Sequence, residues 1–305
     1  MTLDHNATTP DVQSWFIPID ILNVIWCTIS IILALIFLFV IISDKLYQKV
    51  AMILITNSCL AELLFGVDLL AVTIFTFHND LKQIYFYNSL CLFIRYLGYM
   101  LVAIQNYSYL LQAIYRYILI VYPSRLFYQS IKFQTCLISL TWICCIIYPI
   151  LLVFTGQIKY LTDDQIYEMP LELSFLTIFN ACYIYIFPMQ GIILIYLKMV
   201  RCVHEMSKHV ISVNRLFHVQ RELKMIRRIV LLLFIVVALD FPYQTFIIMS
   251  FFNAAPKYHF RIAFSFINVS LIFVLIAILE ITEPLKTSLM KRIKRRPTNI
   301  IGTVS

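Results

Sequence analysis

Residues Asn106 to Pro123 read N-Y-S-Y-L-L-Q-A-I-Y-R-Y-I-L-I-V-Y-P, and the reading of this stretch decides the fold. It closes an uncharged run from Tyr96 to Tyr115, long enough to cross a bilayer as a helix. Arg116 stands at its end between Tyr115 and Tyr117, and Pro123, which cannot continue a helix, follows. An arginine at the lip of a membrane helix commonly acts as a topology anchor, its head group reaching back to lipid phosphates. Position alone explains it that way, so any further role must be argued from the rest of the chain.

Of the 305 residues, 61% are hydrophobic and 13% charged, with a mean hydropathy of +0.86. A domain in water could not hide that much apolar surface, so lipid is the expected solvent. Glycine is scarce, at 5 residues, which argues against the broken, close-packed helices of many transporters. The 8 cysteines and 6 histidines show no metal-ligand spacing. There is no nucleophile elbow, phosphate loop or dinucleotide fingerprint either, so neither an enzyme nor a cofactor is expected.

Seven apolar segments follow a polar, acidic tail: 21–42, 50–77, 88–122, 133–158, 173–197, 225–252 and 261–288. Each can span about 30 Å of hydrocarbon at 1.5 Å per residue. Lys45, Lys49, Arg116, Arg125, Lys132, the basic residues of 198–228 and those of 286–296 share one side. Lys82, Arg95, Lys159, Lys257 and Arg261 remain on the other. The positive-inside rule then puts the N-terminus outside and the C-terminus in the cytoplasm. The net charge of +8 reflects this topology and anionic inner-leaflet lipid rather than nucleic acid. The expected organisation is an outer tail over 1–20, a seven-span domain over 21–288 and a cytoplasmic amphipathic helix with a short tail over 289–305. The fold class is an all-α membrane protein, a seven-transmembrane helix bundle with a short amphipathic eighth helix inside. The tail carries a glycosylation sequon at Asn6, while the matches at Asn106 and Asn268 lie in or near apolar runs and read as coincidences.

The end of the third segment, A-I-Y-R-Y-I-L-I-V-Y-P, resembles the third-helix pattern A-x-D-R-Y-x-x-I-x-x-P of rhodopsin-like (class A) G-protein-coupled receptors. Other landmarks stand in order. N-S-C-L-A-E-L-L is similar to the family's N-L-A-L-A-D-L-L and puts Glu62 at its buried aspartate. Cys91 heads the third segment, Trp142 and Pro149 lie in the fourth, Pro188 and Tyr196 in the fifth, and Glu222 precedes Pro242 in the sixth. The departures are equally specific. Tyr115 replaces the acid before the arginine, Asp240 replaces the sixth-helix tryptophan, and Glu283-Pro284-Leu285-Lys286-Thr287 replaces N-P-x-x-Y. No cysteine stands between Cys145 and Cys182 to serve as the loop partner of Cys91.

The resemblance implies a G-protein switch of Arg116, Tyr117, Tyr196 and Glu222, in which Glu222 pairs with Arg116 and Tyr196 moves inward. Five acids lie in the apolar segments: Glu62, Asp68, Asp240, Glu280 and Glu283, each a functional candidate because a membrane carboxylate is costly. The family's helix order brings Glu280 and Glu283 opposite Glu62 with Gln105 nearby, its sodium site. Three acids around one cavity cannot all ionise alone, so either Na⁺ binds or at least one carboxyl is protonated. The implied ligand pocket comprises Arg95, Tyr99, Asp240, Tyr243, Gln244 and Phe273. It lies under an outer loop with Asp163, Asp164, Glu168 and Glu172, which suits a peptide or a small amphipathic molecule with a positive group. The expected protein is a multi-pass plasma-membrane receptor that converts binding of an extracellular ligand into activation of a heterotrimeric G protein. The alternative is a proton- or cation-coupled transporter or channel using the buried carboxylates.

Overall fold

The computed structural model describes residues 14–82, 89–161, 164, 166–208, 241–252 and 254–294. Helix α1 spans Phe16–Ser43 and buries Asp20, Asn23, Cys27, Ser30, Ala34, Phe37 and Ile41, a stripe at alternating spacings of three and four. Its outward face carries Ile21, Leu22, Ile25, Ile32, Leu35 and Phe39. A helix in water turns its large apolar side chains inward. Here Asp20, Asn23, Cys27, Ser30 and Ala34 lie inside beside Phe37 and Ile41, while most of the large apolar residues face outward, the arrangement that lipid favours. Helix α4 (Ile131–Phe154) does the same, with Ile143, Ile147 and Phe154 outward.

Helices α2 (Val50–Lys82) and α3 (Ser89–Val121) complete the first half. A two-stranded antiparallel hairpin follows α4, with β1 (Lys159–Leu161) pairing Lys159 to Glu168 and Leu161 to Ile166 of β2 (Ile166–Glu168). The next span is made of α5 (Phe175–Ala181), a π-helical turn over Cys182–Ile186, and α6 (Phe187–Lys208). Pro188 lacks the N–H that would bond the carbonyl of Ile184, four residues earlier. The Asn106 Nδ2 donates to that carbonyl instead, at 3.0 Å, and so fastens α3 to the irregular turn. The sequon at Asn106 is therefore a buried structural amide, and Asn268, which accepts from the Cys27 thiol, is also buried.

Helix α7 covers 241–251, α8 covers His259–Ile281 and α9 covers Glu283–Lys294. Six helices among the described residues are long and apolar enough to cross a membrane. The segment expected over 225–252 is described only from 241 onward. Helix α3 packs against α2, α4, α6 and β2, while α1 packs against α2, α8 and α9, which makes α3 the central member of the bundle. Helix α8 ends at Ile281, short of the expected 288, and Lys286 N–H bonding the Thr282 carbonyl at 2.9 Å opens α9. Pro284 sits in the first turn of α9, where its missing N–H costs no helical bond. Leu285 and Leu289 then pack against the α1–α2–α8 core, laying α9 across that end of the bundle.

Candidate functional site

The bundle has a hairpin end and an α9 end, and polar residues concentrate at both. In β2, side chains alternate, so Ile166 and Glu168 share the inward face while Tyr167 is turned away. That alternation drives a carboxylate into the bundle: Glu168 is 1% exposed. It forms an ion pair with Arg95 and accepts a hydrogen bond from the Tyr99 hydroxyl. Arg95 and Tyr99, four apart on α3, present one face, and the guanidinium also lies over the rings of Tyr99 and Phe264 at 4.6 and 5.4 Å. Tyr148 of α4 donates to the Tyr99 carbonyl at 3.0 Å. Asp68 of α2 reaches the same place past Gly98: a Cβ there would meet Asp68 Oδ2 at 2.9 Å and Arg95 Nη1 at 3.4 Å.

A second buried cluster lies beside the first. Arg261, at the start of α8, makes a bidentate pair with Asp80 of α2, at 2.5 and 3.0 Å. Its Nη1 is 3.5 Å from Asp20 of α1 and its Nε donates to the Asp164 carbonyl at 3.0 Å. The ring of Phe16 lies 4.0 Å from the guanidinium. Glu168 is thus directed inward onto the Arg95 guanidinium, and the buried Asp164 meets Arg261 through its main-chain carbonyl while its carboxylate accepts from the Arg261 backbone N–H at 3.4 Å.

Of the implied ligand-pocket residues, Arg95, Tyr99 and Tyr243 converge on a gap of about 20 Å³. Tyr243 packs on Tyr185 with ring centroids 5.7 Å apart. Gln244 is half-buried. Phe273 does not join them: it is 40% exposed on the outward face of α8, because it lies beside Val274 on the opposite side of the helix from the core-facing Leu271 and Leu275. Asp240 lies outside the described residues.

In the middle of the bundle, Gln105 donates to Glu62 at 2.8 Å and lies 3.4 Å from the Tyr109 hydroxyl. Ser58 and Ser108 share a bond of 2.8 Å, Gln112 donates to Ser58 at 2.5 Å, and Trp142 donates to Asn57 at 2.9 Å. The expected convergence of Glu280 and Glu283 on Glu62 does not occur. Because α8 ends at Ile281, Glu280 lies in its last turn, where it is 41% exposed and pairs with Lys286 of α9 at 2.6 Å. Glu283 is exposed in the first turn of α9, a position that the helix dipole favours for an acid. The residues present do not fit a sodium site built from these three acids.

Toward the α9 end a cavity of about 140 Å³ runs from Gln105 past Tyr109 and Gln112 to Arg116, with Tyr196 and Ile281 on its far walls. Tyr196 and Arg116 line the same cavity, and the guanidinium acts electrostatically on the phenol. Tyr117 packs in the apolar cluster around Tyr196 and sets its ring against Tyr122 at 6.1 Å. Tyr115 is buried among Leu54, Leu111 and Leu137, so the position that usually carries an acid is here part of the α2–α3–α4 core. Glu222 and Asn6 lie outside the described residues.

The sequence reading missed the partners of Arg261. Asp20 was assigned to the tail and Asp80 fell beyond the second apolar segment, yet both stand on helices with Arg261 between them. A signal existed: acids at the mouths of the first two spans match a basic residue, Arg261, at the mouth of the seventh.

The family model described as 7 transmembrane receptor (rhodopsin family) matches residues 33–283. No curated protein matches the chain.

Proposed function

The chain belongs to the rhodopsin family of seven-transmembrane receptors, and we propose that it sits in the plasma membrane with the hairpin outside and α9 inside. There it would convert binding of an extracellular ligand into activation of a heterotrimeric G protein. The observation that carries this reading is the largely apolar cavity that runs past Gln105 and Gln112 to Arg116, with Tyr196 on its far wall. Moving α6 relative to α3 changes that cavity, and a ligand that prefers one arrangement biases the two-state equilibrium. Glu222 completes the switch as an acid that restrains Arg116 in the resting state.

The transporter alternative requires acids along one continuous aqueous path. Asp68 instead faces Arg95, Glu62 takes a hydrogen bond from Gln105, and Glu280 pairs outside the bundle with Lys286. These placements favour the receptor.

The test is G-protein activation in transfected cells, with surface expression measured in parallel. Arg116→Ala is expected to abolish signalling at near-normal surface density; wild-type signalling in that variant would remove Arg116 from the switch. Glu222→Ala is expected to raise ligand-independent activity, and an unchanged baseline would dissolve the proposed pair.

A further inference from the structure

Glu168 does more than close the hairpin end. Arg95 is 9% exposed and Glu168 1%, so neither charge could remain there alone without a large desolvation penalty. The acid uses only part of the donor set. One carboxylate oxygen meets Arg95 Nη2 and the other the Tyr99 hydroxyl, while Arg95 Nε makes no hydrogen bond among the described residues. A guanidinium fork and a phenol aimed at one point form a receptor for a planar two-oxygen anion. The rings of Tyr99 and Phe264 wall it, and the gap beside Tyr243 adjoins it.

Glu168 is held at this site by its ion pair with Arg95 and the hydrogen bond from the Tyr99 hydroxyl. A molecule that displaces the hairpin from this site must replace the charge that Glu168 supplies. A neutral or cationic ligand would remove the carboxylate that pairs directly with Arg95 and accepts from the Tyr99 hydroxyl, leaving Asp68, across Gly98, as the acid facing the guanidinium.

We propose that Arg95 and Tyr99 form a carboxylate-binding site that the receptor's own Glu168 fills, and that the ligand is an organic acid whose carboxylate takes the place of Glu168. The proposal rests on the hairpin end being extracellular, but its test does not depend on G-protein coupling. The full chain is purified in lipid nanodiscs as wild type, Glu168→Ala and the double variant Glu168→Ala/Arg95→Gln. Thermal unfolding is followed with millimolar propionate or with propionamide, its neutral counterpart of the same size.

Glu168→Ala is expected to unfold at a lower temperature than wild type and to regain about 2 °C or more with propionate. Propionamide should give no shift, and the double variant should respond to neither. Equal shifts with both compounds, no shift with propionate, or a propionate shift that survives in the double variant would each overturn the assignment. If Glu168→Ala is too unstable to purify, its surface density in cells grown with each compound replaces the melting curve. More protein with propionate than with propionamide supports the site, and equal amounts reject it.

Discussion

At the hairpin end Arg95 and Arg261 are buried, each met by acids from other elements, whereas at the α9 end Arg292 and Lys286 make their ion pairs with a third or more of each side chain in solvent. The free volume is distributed oppositely. The gaps around Arg95 and Arg261 are about 20 Å³ each, and the cavity that reaches Arg116 is about 140 Å³. The same chemistry, guanidinium or ammonium on carboxylate, therefore fastens one end and only decorates the other. This division suits the function proposed for the chain. Its closed end is held by charges that a competing charge can replace, and its other end keeps space for helices to move.

The largest test of that contrast is Arg261→Met. It removes the cation shared by Asp80, Asp20 and the Asp164 carbonyl and leaves buried acids uncompensated, a loss of about 3–5 kcal/mol. The expected outcome is a steep fall in melting temperature and in surface density. Adding Asp80→Leu should recover a large part of the loss, because a buried pair replaced on both sides by apolar groups is often neutral. A single variant with the wild-type melting temperature would show that the cluster is solvated and that the two ends are alike.

A smaller effect, independent of charge, is expected at the fifth span. Asn106→Leu leaves the Ile184 carbonyl, already deprived of an N–H by Pro188, without its donor, at a cost of about 1–3 kcal/mol. Restoring a backbone N–H with Pro188→Ala in the same chain should return part of the stability. If the Asn106→Leu chain melts like wild type, the π turn satisfies itself and the tie to α3 carries nothing.

What the sequence made legible follows from how local each signal was. The apolar segments and the third-helix motif that ends at Arg116 could be read because run length and short motif spacings encode them. The ionic clusters could not, since Asp80 and Arg261 lie 181 residues apart and only the packed bundle makes them neighbours. Glu280 and Glu283 were placed in the wrong layer for a different reason. Carrying the seventh segment through Thr282–Ser288, a polar stretch interrupted by Pro284, conceals the point at which α8 stops, and one turn of error at a helix end moves an acid from the core to the interface. The inward stripe of α1 was legible in principle: Asp20, Asn23, Cys27 and Ser30 recur at helical spacing, and counting Asp20 with the tail concealed it.

The smallest expected effect completes the comparison. Arg292 pairs with Asp44 and lies over the Phe39 ring at 5.3 Å, a contact set formally similar to that of Arg261 with Asp80 and Phe16. The difference is water: Arg292 and Asp44 are 37% and 34% exposed. Solvent screens the pair and hydrates each partner when the other is removed, so Arg292→Ala should cost less than about 1 kcal/mol. Raising the ionic strength should narrow even that difference while leaving the Arg261→Met deficit nearly intact, since buried charges are screened far less. Melting curves of the two variants at low and high salt make the comparison directly. A large, salt-resistant loss in Arg292→Ala would mean that α9 is anchored as firmly as the hairpin, and the view of that end as the one free to move would fall with it.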